Sequence, residues 1–238
     1  MAKVEPSLIE LTGTVGDRVL YKRFGKYFSR SRAKSFNDRQ SEAQLRQRAL
    51  FKAMQHTASL LGSIIQRGLA KEAHNNGRTE ANEFVSDNKA RFIYEDGKVY
   101  INYSSLILSS GLVTRVEFPQ CSVDGLHVEV RFDPCMHGSY SRPDDVVHIY
   151  AVEFQVEVCQ LVASVLREEG RAVFDLPDLS DDPDCKTAPT FYLYAIVEAA
   201  NTACIPTLST DEKKAYKDHR NINRRVSPTL FVGTVTIK

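Results

Sequence analysis

The hydrophobic period of this chain changes once, near Val113, and that change restricts the fold more than any other feature. Upstream, Leu45, Ala49, Ala53, His56, Leu60 and Ile64 recur at helical spacing, with Leu50, Met54, Leu61 and Ile65 on the adjoining stripe. Downstream, the pattern shortens to alternation in seven segments, over 114–118, 126–132, 146–152, 154–165, 171–176, 191–197 and 230–237. A helical stripe buries one side of a rod, whereas alternation buries one face of a sheet, so the two parts need different elements. The predicted fold class is therefore α+β. An N-terminal β-hairpin and helical region over 1–111 precedes an antiparallel immunoglobulin- or fibronectin III-like β-sandwich over 112–238. The segment 154–165 is long enough to be a short helix instead of a strand.

Local signals subdivide the first part. The segments 15–21 and 27–32 are rich in β-branched, aromatic and basic residues and flank Arg23-Phe24-Gly25-Lys26, which predicts a hairpin with Gly25 supplying a positive φ. A loop over 33–40 leads to Ser41, a natural N-cap for a long helix running to Asn75-Asn76-Gly77, where a left-handed cap is expected. Thr79 caps a second helix, over 79–90, with Ala81, Phe84 and Val85 as its apolar face. Asp96-Gly97 between Phe92-Ile93-Tyr94 and the run 99–103 is a strong hairpin signal. Near the other end, the insertion over 201–227 begins with Ser209-Thr210-Asp211-Glu212, which reads as a capping box, and predicts a surface helix or mobile loop.

The formal net charge of +1 conceals a sorting of charge by region. Between Gly16 and Lys52 stand eleven basic and three acidic residues, so the remainder carries a net charge of −7. Such sorting favours an anionic partner for the basic part, or attraction between neighbouring copies. The start of the chain is broken by Glu5, Pro6 and Glu10 and does not read as an export signal. No apolar run approaches the roughly 20 residues that span a bilayer. The five cysteines, Cys121, Cys135, Cys159, Cys185 and Cys204, are widely spaced and suit reduced thiols. These features predict a cytoplasmic protein, or one within a virion or assembly made in the cytoplasm, and no membrane partner.

The N-terminal half carries Gly13-Thr14-Val15-Gly16, Tyr21, Gly25-Lys26-Tyr27, Arg30, Arg32 and Lys34, followed by Gln44, Gln47-Arg48 and Phe51. Ile101-Asn102-Tyr103-Ser104, Leu106, Leu108-Ser109 and Gly111 follow the helices. In these motifs the chain resembles a Bacteroidota family catalogued only as a domain of unknown function. The later half is similar in outline, through Pro143-Asp144-Asp145, the segment 170–177 and Phe231-Val232-Gly233. It departs from that family in the insertion before Ser227. The resemblance implies the architecture and implies no activity.

The strongest candidate site is the basic, aromatic tract around the first hairpin: Lys22, Arg23, Lys26, Tyr27, Arg30, Arg32 and Lys34, with Tyr21, Phe24 and Phe28 among them. Cations neutralise phosphates and ring faces stack on unpaired bases, the combination used by single-strand and RNA readers. The plainer alternative is that the rings pack on the helices while the cations stay solvated or meet an acidic protein. Arg46, Arg48 and Lys52 read as the solvated face of the long helix, and His56 as a packed histidine on its apolar stripe. Cys121, His127, Cys135 and His137 lack the close ligand pairs of zinc modules, so no metal site is predicted. The acidic stretch from Asp178 to Asp184 lacks the glycine and distal glutamate of a calcium loop and reads as a solvated turn. Asp144-Asp145 reads as a turn ahead of Val146. No nucleophile elbow, phosphate loop, His-Glu-x-x-His or dinucleotide glycine pattern is present, so neither catalysis nor a cofactor is expected. The expected function is a non-enzymatic structural or adaptor protein, a subunit of a phage-derived or other multisubunit assembly with protein partners that include its own copies. The alternative is nucleic-acid binding through the basic hairpin.

Overall fold

Helix ends in this chain are fixed by side chains and glycines that sit where orphan backbone groups need them. The computed structural model describes residues 2–4, 12–23, 26–32, 38–137, 140–179, 188–200 and 226–237, with 2–4, 23 and 26 described by their backbone alone. The turn residues Phe24 and Gly25, the loop residues 33–37 with Lys34, the acidic stretch 180–187 with Cys185, and the insertion residues 201–225 with Cys204 lie outside the described residues. Contacts divide the chain into two compact units, Met1–Leu45 and Arg46–Lys238.

In the first unit, strands β1 (Ala2–Val4), β2 (Gly13–Val15), β3 (Arg18–Arg23) and β4 (Lys26–Ser31) form a four-stranded antiparallel sheet in the order β1-β4-β3-β2. The expected hairpin is its central pair. Helix α1 (Glu42–Leu60) starts at the end of this unit. The Gln44 amide donates to Ser41 Oγ at 3.4 Å while the Ser41 amide donates to Gln44 Oε1 at 3.2 Å, a reciprocal cap that fixes where the helix begins.

The long helix read from the sequence is two helices, because α1 ends at Leu60 and α2 (Gly62–Asn75) follows. Leu61, with φ −84° and ψ 15°, has left the helical well, and its carbonyl accepts from both Ile64 and Ile65 at 3.0 Å. Leu61 is fully buried, so its side chain is held in the core while Gly62, a poor helix former, lowers the cost of the break. Helix α2 ends as predicted. Gly77 has φ 63°, its amide donates to His74 O at 3.1 Å, and the Arg78 amide donates to Ala73 O at 2.8 Å, the paired bonds of a Schellman cap. Thr79 caps α3 (Glu80–Asn88) by accepting from the Asn82 amide. Strands β5 (Phe92–Glu95) and β6 (Lys98–Ile101) pair across Asp96 and Gly97, both at positive φ, as the Asp-Gly signal requires. Among the described residues, no helix is long and apolar enough to cross a membrane.

Seven strands follow: β7 (Glu117–Asp124), β8 (His127–Asp133), β9 (Val146–Glu153), β10 (Val158–Leu166), β11 (Arg171–Asp175), β12 (Thr190–Glu198) and β13 (Leu230–Thr236); six overlap most of their expected segments, whereas β7 shares only 117 and 118 with the expected 114–118 and runs on through Pro119 to Asp124, set there by its pairing with β8. The ambiguous segment is a strand, begun after a turn in which Glu157 takes φ 61°. All pairings are antiparallel, in a four-stranded sheet ordered β10-β9-β12-β13 and a three-stranded sheet ordered β11-β8-β7. Val128, Val130 and Phe132 of β8 and Phe174 of β11 share one core with Ile149 and Ala151 of β9 and Phe191 and Leu193 of β12. The opposite face of β9 and β12 presents Tyr150, Val152, Tyr194 and Ile196 to a second core made with Met54, Leu61, Ile64 and Leu69 of the helical segment. The chain is thus α+β, with antiparallel sheets and one sheet buried on both faces.

Arg167 fastens the loops at one end of these sheets. It is fully buried; its guanidinium donates to Pro134 O at 2.8 Å and to Thr114 O, and Nε lies 3.2 Å from Asp145 Oδ2. Asp145, also fully buried, accepts from the Arg142 amide at 2.9 Å and from the Ala200 amide at 3.3 Å. Burial pulls the pKa of Arg167 down and the Asp145 carboxylate opposes that pull. Asp145 is therefore far more than the turn residue its sequence suggests. Removing one partner of such a pair leaves a buried charge uncompensated, so Arg167→Ala is expected to cost roughly 3–5 kcal/mol in urea unfolding.

Two helical glycines have opposite roles. A Cβ at Gly68 would lie 2.2 Å from Leu108 O and 2.6 Å from Ser109 Cβ, whereas one at Gly62 would meet nothing within 4 Å. Helix propensity alone favours alanine over glycine by about 1 kcal/mol at either site. Gly62→Ala is therefore expected to raise the unfolding midpoint and Gly68→Ala to lower it, since the 108–109 backbone has no flexible side-chain end to move aside.

Candidate functional site

Strand register decides which residues of the basic tract share a surface, because directly opposed residues of an antiparallel pair point to the same face. Tyr21 opposes Phe28 and Val19 opposes Arg30, while Lys22 opposes Tyr27 and Leu20 opposes Ser29. One face of the small sheet therefore gathers Val19, Tyr21, Phe28 and Arg30. The Tyr21 and Phe28 rings are stacked at 5.6 Å with 21° between planes. Arg32 continues the ladder, its amide donating to Asp17 O at 2.7 Å, and both Arg30 and Arg32 are exposed. The other face holds Lys22, whose ammonium sits 4.9 Å from the centre of the Tyr27 ring. Ser29 on that side is buried, and the Tyr27 hydroxyl is buried without a hydrogen-bond partner among the described residues.

The seven predicted site residues are thus divided between two faces. Arg30 and Arg32 follow Phe28 along the ring face, and Lys22 and Tyr27 form a separate cation–π pair. Arg23 and Lys26 oppose one another at the end of the ladder, and Lys34 lies outside the described residues. The alternation of the tract carried this information, but only once the partner register was known. Among the residues of this unit with described side chains, Ser29 alone is buried, and no buried apolar side chain stands among them.

The second unit holds an open groove of about 350 Å³ between α1, the end of β6 and the turn before β10. Ala49 and Ala53 leave room along the helix, while Ile101, Tyr103 and Phe154 form the apolar side and Lys52 stands at the rim. Tyr103 stacks on Phe154 at 3.9 Å, Tyr192 leans on both, and Tyr194 donates its hydroxyl to Tyr103 O at 2.8 Å. Burial first, then the neighbouring Tyr192 and Glu153, pushes the Tyr103 pKa up, so its phenol is neutral and offers hydrogen bonds and an apolar ring. His56 is not the packed histidine its position on the stripe suggested. Its side chain is 59% exposed and lies 3.2 Å from Glu157. The imidazole meets the Glu157 carboxylate in the turn before β10, while Ala53 and Leu60 on the same stripe stay half-buried against the core.

A further polar row crosses three strands. Ser164 Oγ is 2.8 Å from His148 Nδ1, His148 Nε2 is 3.2 Å from Glu198 Oε2, and Arg67 of α2 reaches the same oxygen at 3.5 Å. The imidazole is used on both nitrogens, which fastens β10 and β12 to β9 and the sheet to α2. Sequence reasoning missed this row, since its members lie on separate strands with no local motif.

The cysteine–histidine grouping is dispersed. Cys121 lies in β7 opposite Val130, His127 pairs with Asp175 at 2.8 Å, and Cys135 follows β8. Among the described residues, no three His, Cys, Asp or Glu side chains are grouped to hold a metal ion. Cys121, Cys135 and Cys159 are free thiols, and burial pushes the pKa of Cys159 up. No family model, curated protein or solved structure matches the chain.

The buried hydroxyl at Tyr27 gives a direct test of the small sheet's geometry. An unsatisfied buried polar group costs about 1–3 kcal/mol, so Tyr27→Phe is expected to leave the sheet intact and raise the unfolding midpoint.

Proposed function

We propose that this chain is a non-enzymatic structural or adaptor subunit whose small N-terminal sheet docks onto a partner within a phage-derived or other multisubunit assembly. The observation that carries this reading is the absence of an apolar core in that sheet among its described residues. An isolated small sheet gains little stability unless another surface covers it, so a docked state is favoured. The excess of cations between Gly16 and Lys52 against the acidic remainder supports an acidic protein partner, including another copy of the chain. The resemblance to the Bacteroidota family agrees with this architecture and adds no chemistry. The division of β7 to β13 into 7-8-11 and 10-9-12-13 supports an immunoglobulin- or fibronectin III-like sandwich, a common scaffold for binding rather than catalysis. A cytoplasmic location, or one inside an assembly made there, goes with this reading.

One observation favours a second reading, nucleic-acid binding. Stacked Tyr21 and Phe28 beside exposed Arg30 and Arg32 form a ring-and-cation face on a sheet, which suits unpaired bases and phosphates. The two readings separate in size-exclusion chromatography with light scattering at low and high salt, with absorbance reporting co-purified nucleic acid. Salt-sensitive oligomers free of nucleic acid, lost in the Arg30→Glu/Arg32→Glu variant, are the expected result. A monomer carrying RNA or DNA that salt releases would replace the adaptor reading with the second.

A further inference from the structure

Helix α1 gives only part of its apolar surface to the core. Met54 and Ala58 are buried, whereas Ala49, Ala53 and Leu60 are half-buried and line the open groove of about 350 Å³. Every described residue of that groove belongs to the second unit. Ala49 and Ala53 stand one helical turn apart and carry nothing beyond Cβ, so the helix is shallow along this side. The other wall is aromatic and braced. Tyr103 stacks on Phe154 with 20° between planes, and Tyr192 packs on both with ring centres 5.0 and 5.3 Å away. The Tyr194 hydroxyl donates to Tyr103 O at 2.8 Å and fixes the backbone that carries the ring. A wall held in this way is preformed, as small-molecule sites usually are, and the volume falls within their range of roughly 300–1,000 Å³.

The polar groups of the groove select the charge of what enters it. Among the described residues, no carboxylate lines this groove, and none pairs with the exposed ammonium of Lys52 at its rim. Glu157 belongs instead to an adjoining hollow of about 320 Å³ that shares His56 and Leu60 with the first, and its carboxylate is held there 3.2 Å from His56. Thr57 already donates its hydroxyl to Ala53 O at 3.0 Å. Burial keeps the Tyr103 phenol protonated, so it sets no negative charge against an anion. The groove thus combines an apolar slot between a shallow helix face and a ring wall with one cation that lacks a counter-charge.

We propose that this groove binds a small aromatic carboxylate, with its ring between the Ala49 and Ala53 side of α1 and the Tyr103 and Phe154 wall, and its carboxylate on the Lys52 ammonium. A planar ring fits between a shallow helix face and a ring wall, and it gains from Tyr103 and Phe154 the aromatic pairing that an aliphatic body of equal area lacks. The carboxylate supplies the charge that Lys52 is missing, through a charge-assisted hydrogen bond. No residue of the N-terminal sheet takes part, so the site stands independently of the adaptor reading.

Calorimetric titration of the full chain with 2-naphthoate, and with the neutral 2-naphthamide of nearly the same shape, tests this. The carboxylate is expected to bind about tenfold more tightly than the amide, the factor that one hydrogen bond to a charged group supplies. Lys52→Ala is expected to bring 2-naphthoate down to the level of 2-naphthamide and to leave the amide unchanged. Lys71→Ala, at an exposed lysine of α2, is expected to change neither. Ala53→Leu fills the slot and is expected to weaken both probes with unchanged far-ultraviolet dichroism. The proposal is overturned by a wild-type chain that binds neither probe at millimolar concentration, or binds both equally. It is also overturned by a loss of 2-naphthoate affinity in Lys71→Ala as large as that in Lys52→Ala, which marks attraction to surface charge in general. Where Ala53→Leu fails to fold, the two probes on the wild-type chain and on Lys52→Ala, a change at an exposed side chain, decide the matter.

Discussion

The pairing of β9 with β12 is the constraint on which the second unit depends. Eight residue pairs run from Phe191–Glu153 to Glu198–Val146, and the side chains of both strands are buried on both faces over most of that length. Fully burying a Val, Leu, Ile or Phe side chain is worth roughly 1.5–3 kcal/mol, so two adjacent strands that do so on both sides dominate the favourable side of folding. The same double burial obliges the polar groups of these strands to find partners. Tyr194 meets this demand through the Tyr103 carbonyl, and His148 through Ser164 and Glu198. The helices cover one face of the pair and the three-stranded sheet the other, so both cores are built on the middle layer.

Features governed by near neighbours along the chain are legible in the amino-acid sequence itself. Ser41 with Gln44, Thr79, the Asn76-Gly77 stop and the Asp96-Gly97 turn act within a few residues, where the backbone's needs and the side chain's chemistry can be matched directly. Features decided by a distant partner are not legible in this way. The break at Leu61 depends on the burial of that leucine against strands that come much later. His56 meets the carboxylate of Glu157, which lies far along the chain. The strand nature of residues 158–166 is set by pairing with β9 and not by local preference. The division of the basic tract into two faces follows from a register that neighbouring residues cannot reveal.

The two units spend their hydrophobic residues differently. In the second, apolar side chains are gathered into two cores beside an open groove. In the first, strand pairing sets rings and cations side by side, and half-buried Tyr21 and Phe28 stack on each other. The charge sorting along the chain follows the same division, with the cations between Gly16 and Lys52 set against an acidic remainder.

The buried Arg167 also bears on how long the folded chain persists. Its contacts reach back 53 residues to Thr114 and 33 to Pro134, so they close only after the strands on either side have paired. Interactions completed after the rate-limiting step of folding add little to the speed of assembly, but all of their strength opposes escape from the native state. In this position a single guanidinium acts as a latch on lifetime, setting how rarely the loops at that end of the sheets open to a protease.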